Sequence, residues 1–423
     1  MKARFFTLGC KVNQYETQCM REDLLCAGLE EAGPGEPAGV CVINTCTVTA
    51  KADSESLRII RKAVVENPGA LILVTGCLAE MDEERIKKVK GVSAVLRNDC
   101  KKRILEFLPA SSAGGKRGGI SFFQGRSRAF IKVQDGCDNR CSYCKVALVR
   151  GKSISRDEKE IVDEASRLSA NGYREIVLTG ICLGSYGKDK DSPGSLAGLL
   201  KGLTRIEGIS RIRLSSIEMA DISPELLELF SGNGKLCPHF HVPLQSGDDR
   251  ILAVMRRRYN RSVFLSRVKD IKKNVPGVSI TTDVIVGFPG EDEEAFSNTL
   301  RTLKEIQPLR THVFPFSPRK GTAAAQMSGH LDREAIKGRR IILSRLAQEC
   351  SREYMQDFIG KESEVMPEEI LPARDNKSVF LEGYSANYIR VLIPSRGILP
   401  DYKTALRVRL EEIISGGMRA EPL

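Results

Sequence analysis

The stretch "GCDNRCSYC" places Cys137, Cys141 and Cys144 on one short loop. Three then two intervening residues let a loop wrap three thiolates around three irons of a cubane cluster, so the fourth iron lacks a protein ligand. An open metal position is where chemistry takes place, whereas a closed set of four thiolates chiefly holds a fold together. The alternative is a structural zinc site with a remote fourth ligand, His239 or His241 in "HFHVPL". Zinc sites usually pair a C-x-x-C with a second such pair, and none is present, so an iron-sulfur cluster is expected and the two histidines are assigned packing or hydrogen-bonding roles.

A second set lies far apart in sequence. Cys10, Cys46 and Cys77 each end an apolar run, in "TLGCKVNQ", "INTCTVTA" and "VTGCLAE". Parallel strands bring their C-termini to one sheet edge, so these three can converge there. Each alone would be a buried thiol acting as a small hydrophobe; equivalent placement at three strand ends points to a second cluster. The other cysteines show no ligand spacing, although Cys182, after "LTG", could face a cofactor.

The elements that must position these sets follow from periodicity. Residues 1–108 alternate strand-like runs ("ARFFTLG", "VCVINTC", "ALILVTGC") with helical stretches at Glu16–Ala27, Asp53–Glu66 and Ala79–Lys90, the pattern of a doubly wound α/β domain. Residues 109–128, rich in Gly, Ser and basic residues, suggest a linker with one short strand near Ile120 to Phe123. Residues 129–360 hold six strand-then-helix repeats, which imply a parallel sheet curled into a partial (βα)6 barrel. Cys137 then follows the first barrel strand, on the face where such barrels carry their active sites. Residues 361–423 form short β-rich segments, suggesting a small β-barrel, a fold that often binds nucleic acid.

Composition narrows the class. The chain has 423 residues, a formal net charge of +11 and thirteen cysteines. The length implies several domains, and the charge favours a polyanionic partner, although a well-solvated basic surface would look the same. No apolar run approaches a membrane span and no signal-peptide core precedes the first strand, so a cytoplasmic location is expected, where many cysteines indicate metal or redox chemistry.

Taken together, these residues carry a resemblance. "GCDNRCSYC" resembles the C-x-x-x-C-x-x-C loop of radical S-adenosylmethionine enzymes, and the three-cysteine first domain resembles their methylthiotransferase branch. The tail resembles a TRAM domain, an RNA-binding β-barrel. "TLGCKVNQYET", "INTCTVT", "LSSIE", "HVPLQSG", "MRRRY", "DVIVGFPGE" and "HVFPFSPRKGT" look most like the threonylcarbamoyladenosine tRNA methylthiotransferases.

The resemblance implies two 4Fe-4S clusters. On the first, S-adenosylmethionine chelates the open iron and is cleaved to a 5'-deoxyadenosyl radical; the second holds the sulfur that becomes a methylthio group at C2 of N6-threonylcarbamoyladenosine beside the anticodon. Thr179 and Gly180 are expected at the methionine end of the cofactor, and Ser216, Glu218, Gln245 and Asp283 toward its ribose or the substrate. A loop cap for Asp283 and an internal salt bridge for Glu218 are the plain alternatives. Arg256, Arg257 and Arg258, with Tyr384, Tyr388 and Arg390 in "GYSANYIRV", are expected to meet RNA by phosphate contact and stacking, against solvated-face or core roles. Partners implied are tRNA and an electron donor of flavodoxin or ferredoxin type, with no membrane and a monomeric chain.

Sibling enzymes acting on N6-isopentenyladenosine of tRNA or on a ribosomal-protein aspartate are the nearest alternatives, and an RNA-binding protein with a structural cluster is one of another class. "GCKVNQYET" favours the threonylcarbamoyl branch. Val146 and Ala147 stand where the family carries Ile-Pro, Met219 where relatives often carry Pro, and Cys182 replaces a commonly polar residue. None of these changes removes a ligand.

Overall fold

A computed structural model describes residues 1–108, 118–189, 194–372, 379–395 and 403–423. Of the expected linker, residues 109–117 lie outside them. The first five strands are β1 (Lys2–Thr7), β2 (Glu30–Glu31), β3 (Val40–Thr45), β4 (Leu71–Gly76) and β5 (Ala94–Val95), in a parallel sheet of order β2-β1-β3-β4-β5. Every residue of β3 is buried, as a central strand covered on both faces requires. Its side chains alternate, Ile43 packing with Leu57 and Ile60 on one face and Val42 with Met20 and Leu24 on the other. The helix expected at 79–90 is two, Cys77–Met81 and Glu83–Lys87, because Asp82 leaves helical geometry and caps the second through Arg85 N–H.

The central unit contains β6 (Arg128–Asp135), β7 (Ile154–Ser155), β8 (Glu175–Gly180), β9 (Arg211–Leu214), β10 (His239–His241), β11 (Ser279–Val286) and β12 (Arg310–Pro315). β6, β8 and β9 run parallel, as do β10, β11 and β12; the bridges Ile212–Leu236 and Ser216–His241 join the two groups into an open barrel. Only the short β7 runs antiparallel, on the outer edge of β6. The helices Glu158–Ala170, Glu293–Ile306 and Arg333–Gln356 begin on the capping carboxylates of Asp157, Asp292 and Asp332.

The strand expected near Ile120 to Phe123 is absent. These amides are satisfied by side chains instead: Ile120 N–H donates to Glu164 at 2.8 Å, Ser121 N–H to Glu22 at 2.9 Å and Phe123 N–H to the Tyr173 hydroxyl at 2.7 Å. With its donors taken, the segment has no ladder to join.

The last strands, β13 (Glu362–Pro372), β14 (Val379–Ser385), β15 (Arg390–Ser395), β16 (Leu406–Ile414) and β17 (Gly417–Pro422), close a five-stranded barrel. It docks beneath the open barrel, at the N-terminal ends of its strands. Arg211 donates to the Glu364 carbonyl at 2.8 Å, Arg213 to that of Ala386 at 2.9 Å, and Arg128 pairs with Glu368 at 2.7 Å.

Candidate active site

The cysteine loop leaves β6 at a position only glycine can fill. Gly136 has φ +71°, and a Cβ there would lie 1.8 Å from the Lys152 carbonyl oxygen. Cys137 N–H donates to the Gly151 carbonyl at 3.0 Å, and Ser142 is gripped from both sides, donating to the Met255 carbonyl at 3.1 Å and accepting from Ala324 N–H at 2.8 Å. Two N–H groups aim at the sulfurs: Arg257 Nη1 lies 3.4 Å from Cys141 Sγ and Val146 N lies 3.4 Å from Cys144 Sγ. Burial pushes the Cys144 thiol up to about 11, whereas the neighbouring Cys182 thiol holds Cys137 below its ordinary value.

The second set gathers at one edge of the first sheet. β1, β3 and β4 are adjacent and in register, Thr7 opposite Asn44 and Thr45 opposite Gly76, so Cys10, Cys46 and Cys77 emerge side by side. Cys10 begins the helix Lys11–Cys26 and Cys77 begins its own. Gly9, at φ +100°, makes room: a Cβ there would sit 3.0 Å from the Cys46 sulfur. Burial raises the Cys46 thiol to about 11 and raises that of Cys77 as well. Both sets are free thiols on converging loops, a soft donor set fitted to an iron-sulfur cluster.

A buried charge cluster ties the two sets together. Arg150, at the end of the helix that follows the cysteine loop, pairs with Glu16 at 2.6 Å and also bonds Asn13, both on the helix that Cys10 starts. Lys132 of β6 meets Glu16 at 2.8 Å and Asp135 at 2.9 Å, and Lys101 closes on the same carboxylate. Burial alone would raise the Glu16 carboxyl, but Lys101, Lys132 and Arg150 hold it well below the usual range.

A cavity of about 470 Å³ lies inside the open barrel, bounded by Gly9 and Lys11 on the first unit and by barrel residues including Ser216, His241 and Asp283. His241 Nε2 lies 3.2 Å from Asp283, and its Nδ1 shares the Thr281 hydroxyl with His239 Nε2, each at 2.9 Å. His312 approaches so that its ring nitrogen and the ligand atoms of His241 and Asp283 lie within 4.8 Å of one another. Both histidines of "HFHVPL" are thus in hydrogen bonds within the barrel.

The residues assigned to the cofactor divide between two neighbourhoods. Glu218 stands by the cysteine loop, paired with Arg257. Gly180 ends β8 where a Cβ would meet Gln134 Oε1 at 3.0 Å, the oxygen that also accepts Cys182 N–H. Thr179 is buried in β8. Ser216 and Asp283 line the cavity. Gln245, at φ 64°, bridges by backbone, donating to the Asp283 carbonyl at 2.8 Å and accepting from Ile285 N–H at 2.9 Å.

The residues assigned to RNA do not share one surface. Arg256 and Arg258 are exposed, and Arg258 pairs with Asp221 at 3.5 Å. Arg257 turns inward to Glu218 and Cys141, so it is not offered to a partner in solution. Tyr384 and Tyr388 stack at 4.9 Å, and Tyr388, at φ 70°, reaches up into the cavity floor, where it stacks on His239 at 4.4 Å. Arg213 lies 4.9 Å from the Tyr388 ring centre and Arg310 5.8 Å. Arg390 pairs with Glu382 and lines a groove of about 750 Å³ with Arg310 of β12 and Arg340, Arg345 and Arg352 of the long helix. Arg340, Arg345 and Arg352 have no carboxylate partner among the described residues. Sequence reasoning missed these arginines because, at spacings of five and seven, they resemble any polar helix face.

Comparison with known proteins places this geometry. Residues 131–303 match the radical SAM superfamily and residues 2–97 match the "uncharacterized protein family UPF0004". The threonylcarbamoyladenosine tRNA methylthiotransferase MtaB of Bacillus subtilis is 39% identical over 92% of this chain and 89% of its own. The protein of that name from Thermotoga maritima is 39% identical over 92% and 90%. A tRNA-2-methylthio-N(6)-dimethylallyladenosine synthase of Geobacter sulfurreducens is 34% identical over 86% and 85%. In fold, the chain is similar to the radical S-adenosylmethionine methyltransferase TsrM of Kitasatospora setae, with a TM-score of 0.57, 14% identity, and 77% of this chain and 76% of that one covered.

Proposed function

The chain belongs to the radical S-adenosylmethionine tRNA methylthiotransferases, and on that premise we propose that it adds a methylthio group to C2 of N6-threonylcarbamoyladenosine beside the anticodon of tRNA. The observation that carries this reading is the meeting of Cys10, Cys46 and Cys77 at one edge of the first sheet, on a unit that the Glu16–Arg150 pair ties to the loop of Cys137, Cys141 and Cys144. Cys137, Cys141 and Cys144 would hold a 4Fe-4S cluster, and Cys10, Cys46 and Cys77 a second. When bound, the first cluster with S-adenosylmethionine supplies the electron that breaks a sulfonium bond and starts hydrogen abstraction, and the second supplies the sulfur.

The chain's own residues do the rest. Arg257 donates toward the Cys141 sulfur, and Glu218 orients it. Gly180, with Ser216 and Asp283 deeper in the barrel, leaves room for the cofactor and the base. The barrel interior would shield the reacting groups from bulk water. Residues 1–108, 129–360 and 361–423 serve as sulfur-delivering, radical-generating and TRAM-like RNA-binding units. The arginine groove between the long helix and the last barrel is suited to phosphates of the tRNA body. We further propose a cytoplasmic monomer served by an electron donor of flavodoxin or ferredoxin type, a location in keeping with a tRNA substrate.

The test is nucleoside mass analysis of tRNA from cells lacking the gene and no second enzyme of this activity. Loss of the 2-methylthio form, with N6-threonylcarbamoyladenosine accumulating, is expected; unchanged 2-methylthio-N6-threonylcarbamoyladenosine would refute the assignment.

A further inference from the structure

We propose that the part of the cavity beneath Cys10 is a carboxylate seat, anchored by Lys11, that takes the charged end of the N6 substituent. The inference rests on the reading of the substrate as N6-threonylcarbamoyladenosine. In adenine, C2 and C6 flank N1 on one edge, so a group that delivers sulfur to C2 stands beside whatever hangs from N6. Lys11 directly follows Cys10 and lines the cavity.

Its charge is free for a ligand. Lys11 has no carboxylate partner among the described residues, and it lines one cavity with His239, His312 and Tyr388. The floor's other cations differ. Arg128 is matched by Glu368 at 2.7 Å, and Arg213 by Glu175 at 2.8 Å. Outside the cavity lining, Arg310 of the neighbouring groove pairs with no carboxylate among the described residues and leans over the Tyr388 ring. The cavity lining offers one carboxylate, Asp283, already taken by His241. Burial would raise the Tyr388 hydroxyl, but Arg128, Lys11, Arg213 and Arg310 bring it below its ordinary value.

Two further atoms await partners. Ser215 Oγ and His239 Nδ1 are buried on the cavity wall and have none. A threonylcarbamoyl group carries a carboxylate, a hydroxyl and amide hydrogens that can meet them. A dimethylallyl group is hydrocarbon throughout and would leave each polar atom desolvated and unpaired, the arrangement by which a polar site rejects an apolar analogue.

The test compares wild type, Lys11→Met and Lys11→Arg on anticodon stem-loop RNA bearing N6-threonylcarbamoyladenosine, dimethylallyladenosine or plain adenosine. Two readouts are used: methylthiolation by reconstituted enzyme, and RNA affinity of the cluster-free protein. Lys11→Met should cut kcat/KM on the threonylcarbamoyl RNA about 10- to 100-fold, mainly through KM, at wild-type iron content, and should erase the affinity gained over plain adenosine RNA. Lys11→Arg should keep most of both. Unchanged kcat/KM in Lys11→Met overturns the carboxylate seat while leaving the substrate reading intact. Loss of iron in both variants overturns it too, since Lys11 would then be supporting the thiols. Wild type that modifies only the dimethylallyl RNA overturns the substrate reading itself.

Discussion

Arg257 Nη1 points at Cys141 Sγ from 3.4 Å while the other arm of its guanidinium grips Glu218. An arginine read from "MRRRY" as a phosphate contact therefore reaches the cysteine loop. Replacing it with methionine should leave iron content near wild type but lower S-adenosylmethionine cleavage about 10- to 100-fold, the range for groups that orient metal ligands. Glu218→Gln should do the same more weakly. An Arg257→Met variant that cleaves normally and binds tRNA poorly would return this residue to the RNA surface.

The two thiol sets should separate by function. Cys141→Ala should abolish S-adenosylmethionine cleavage; Cys46→Ala should keep part of it and stop methylthio transfer. Anaerobically reconstituted wild type should hold about eight irons and either variant about four. Equal loss of cleavage in both would contradict the division.

Glu16 offers a stability test. Its carboxylate faces Lys101, Lys132 and Arg150 in a buried cluster, so Glu16→Gln leaves Lys101 without a carboxylate and Lys132 and Arg150 with Asp135 alone, and should cost about 3–5 kcal/mol in urea unfolding. Because the folded carboxyl is held below its unfolded value, its contribution is full above roughly pH 4.3 and fades as the pH falls through the folded value. The gap between wild type and variant should therefore be widest near neutrality and close in acid. A constant gap would mean that the carboxylate's charge is not what stabilises the fold.

The arginine groove predicts a salt signature. Changing Arg340, Arg345 and Arg352 to glutamine should weaken tRNA binding for every sequence alike and flatten the dependence of log K on log salt by about one for each arginine that meets a phosphate. An unchanged slope would clear the groove of that role.

Much of this architecture was legible because its signals are local. "VCVINTC" and "ALILVTGC" are apolar runs that end at turns, and parallel strands leave their C-termini at one edge, so the meeting of Cys46 and Cys77 follows from pattern. The strand expected at Ile120 to Phe123 failed for a tertiary reason, the capture of its amides by Glu22 and Glu164 from distant helices. Tertiary contacts likewise decide the surroundings of Arg257 and Tyr388. Both look like surface residues in sequence, and only the fold reveals that one turns toward a cysteine loop and the other enters the barrel.

Tyr388 makes the chain's last barrel part of the chamber's masonry. Its ring rises from the turn between β14 and β15 to lie against His239, while Arg213 clasps the carbonyls of Ser385 and Ala386 just below. The tail is therefore not an interchangeable appendage. Exchanging it with that of a relative would exchange the cavity's floor, so a chimera would inherit a new chamber along with its new tail.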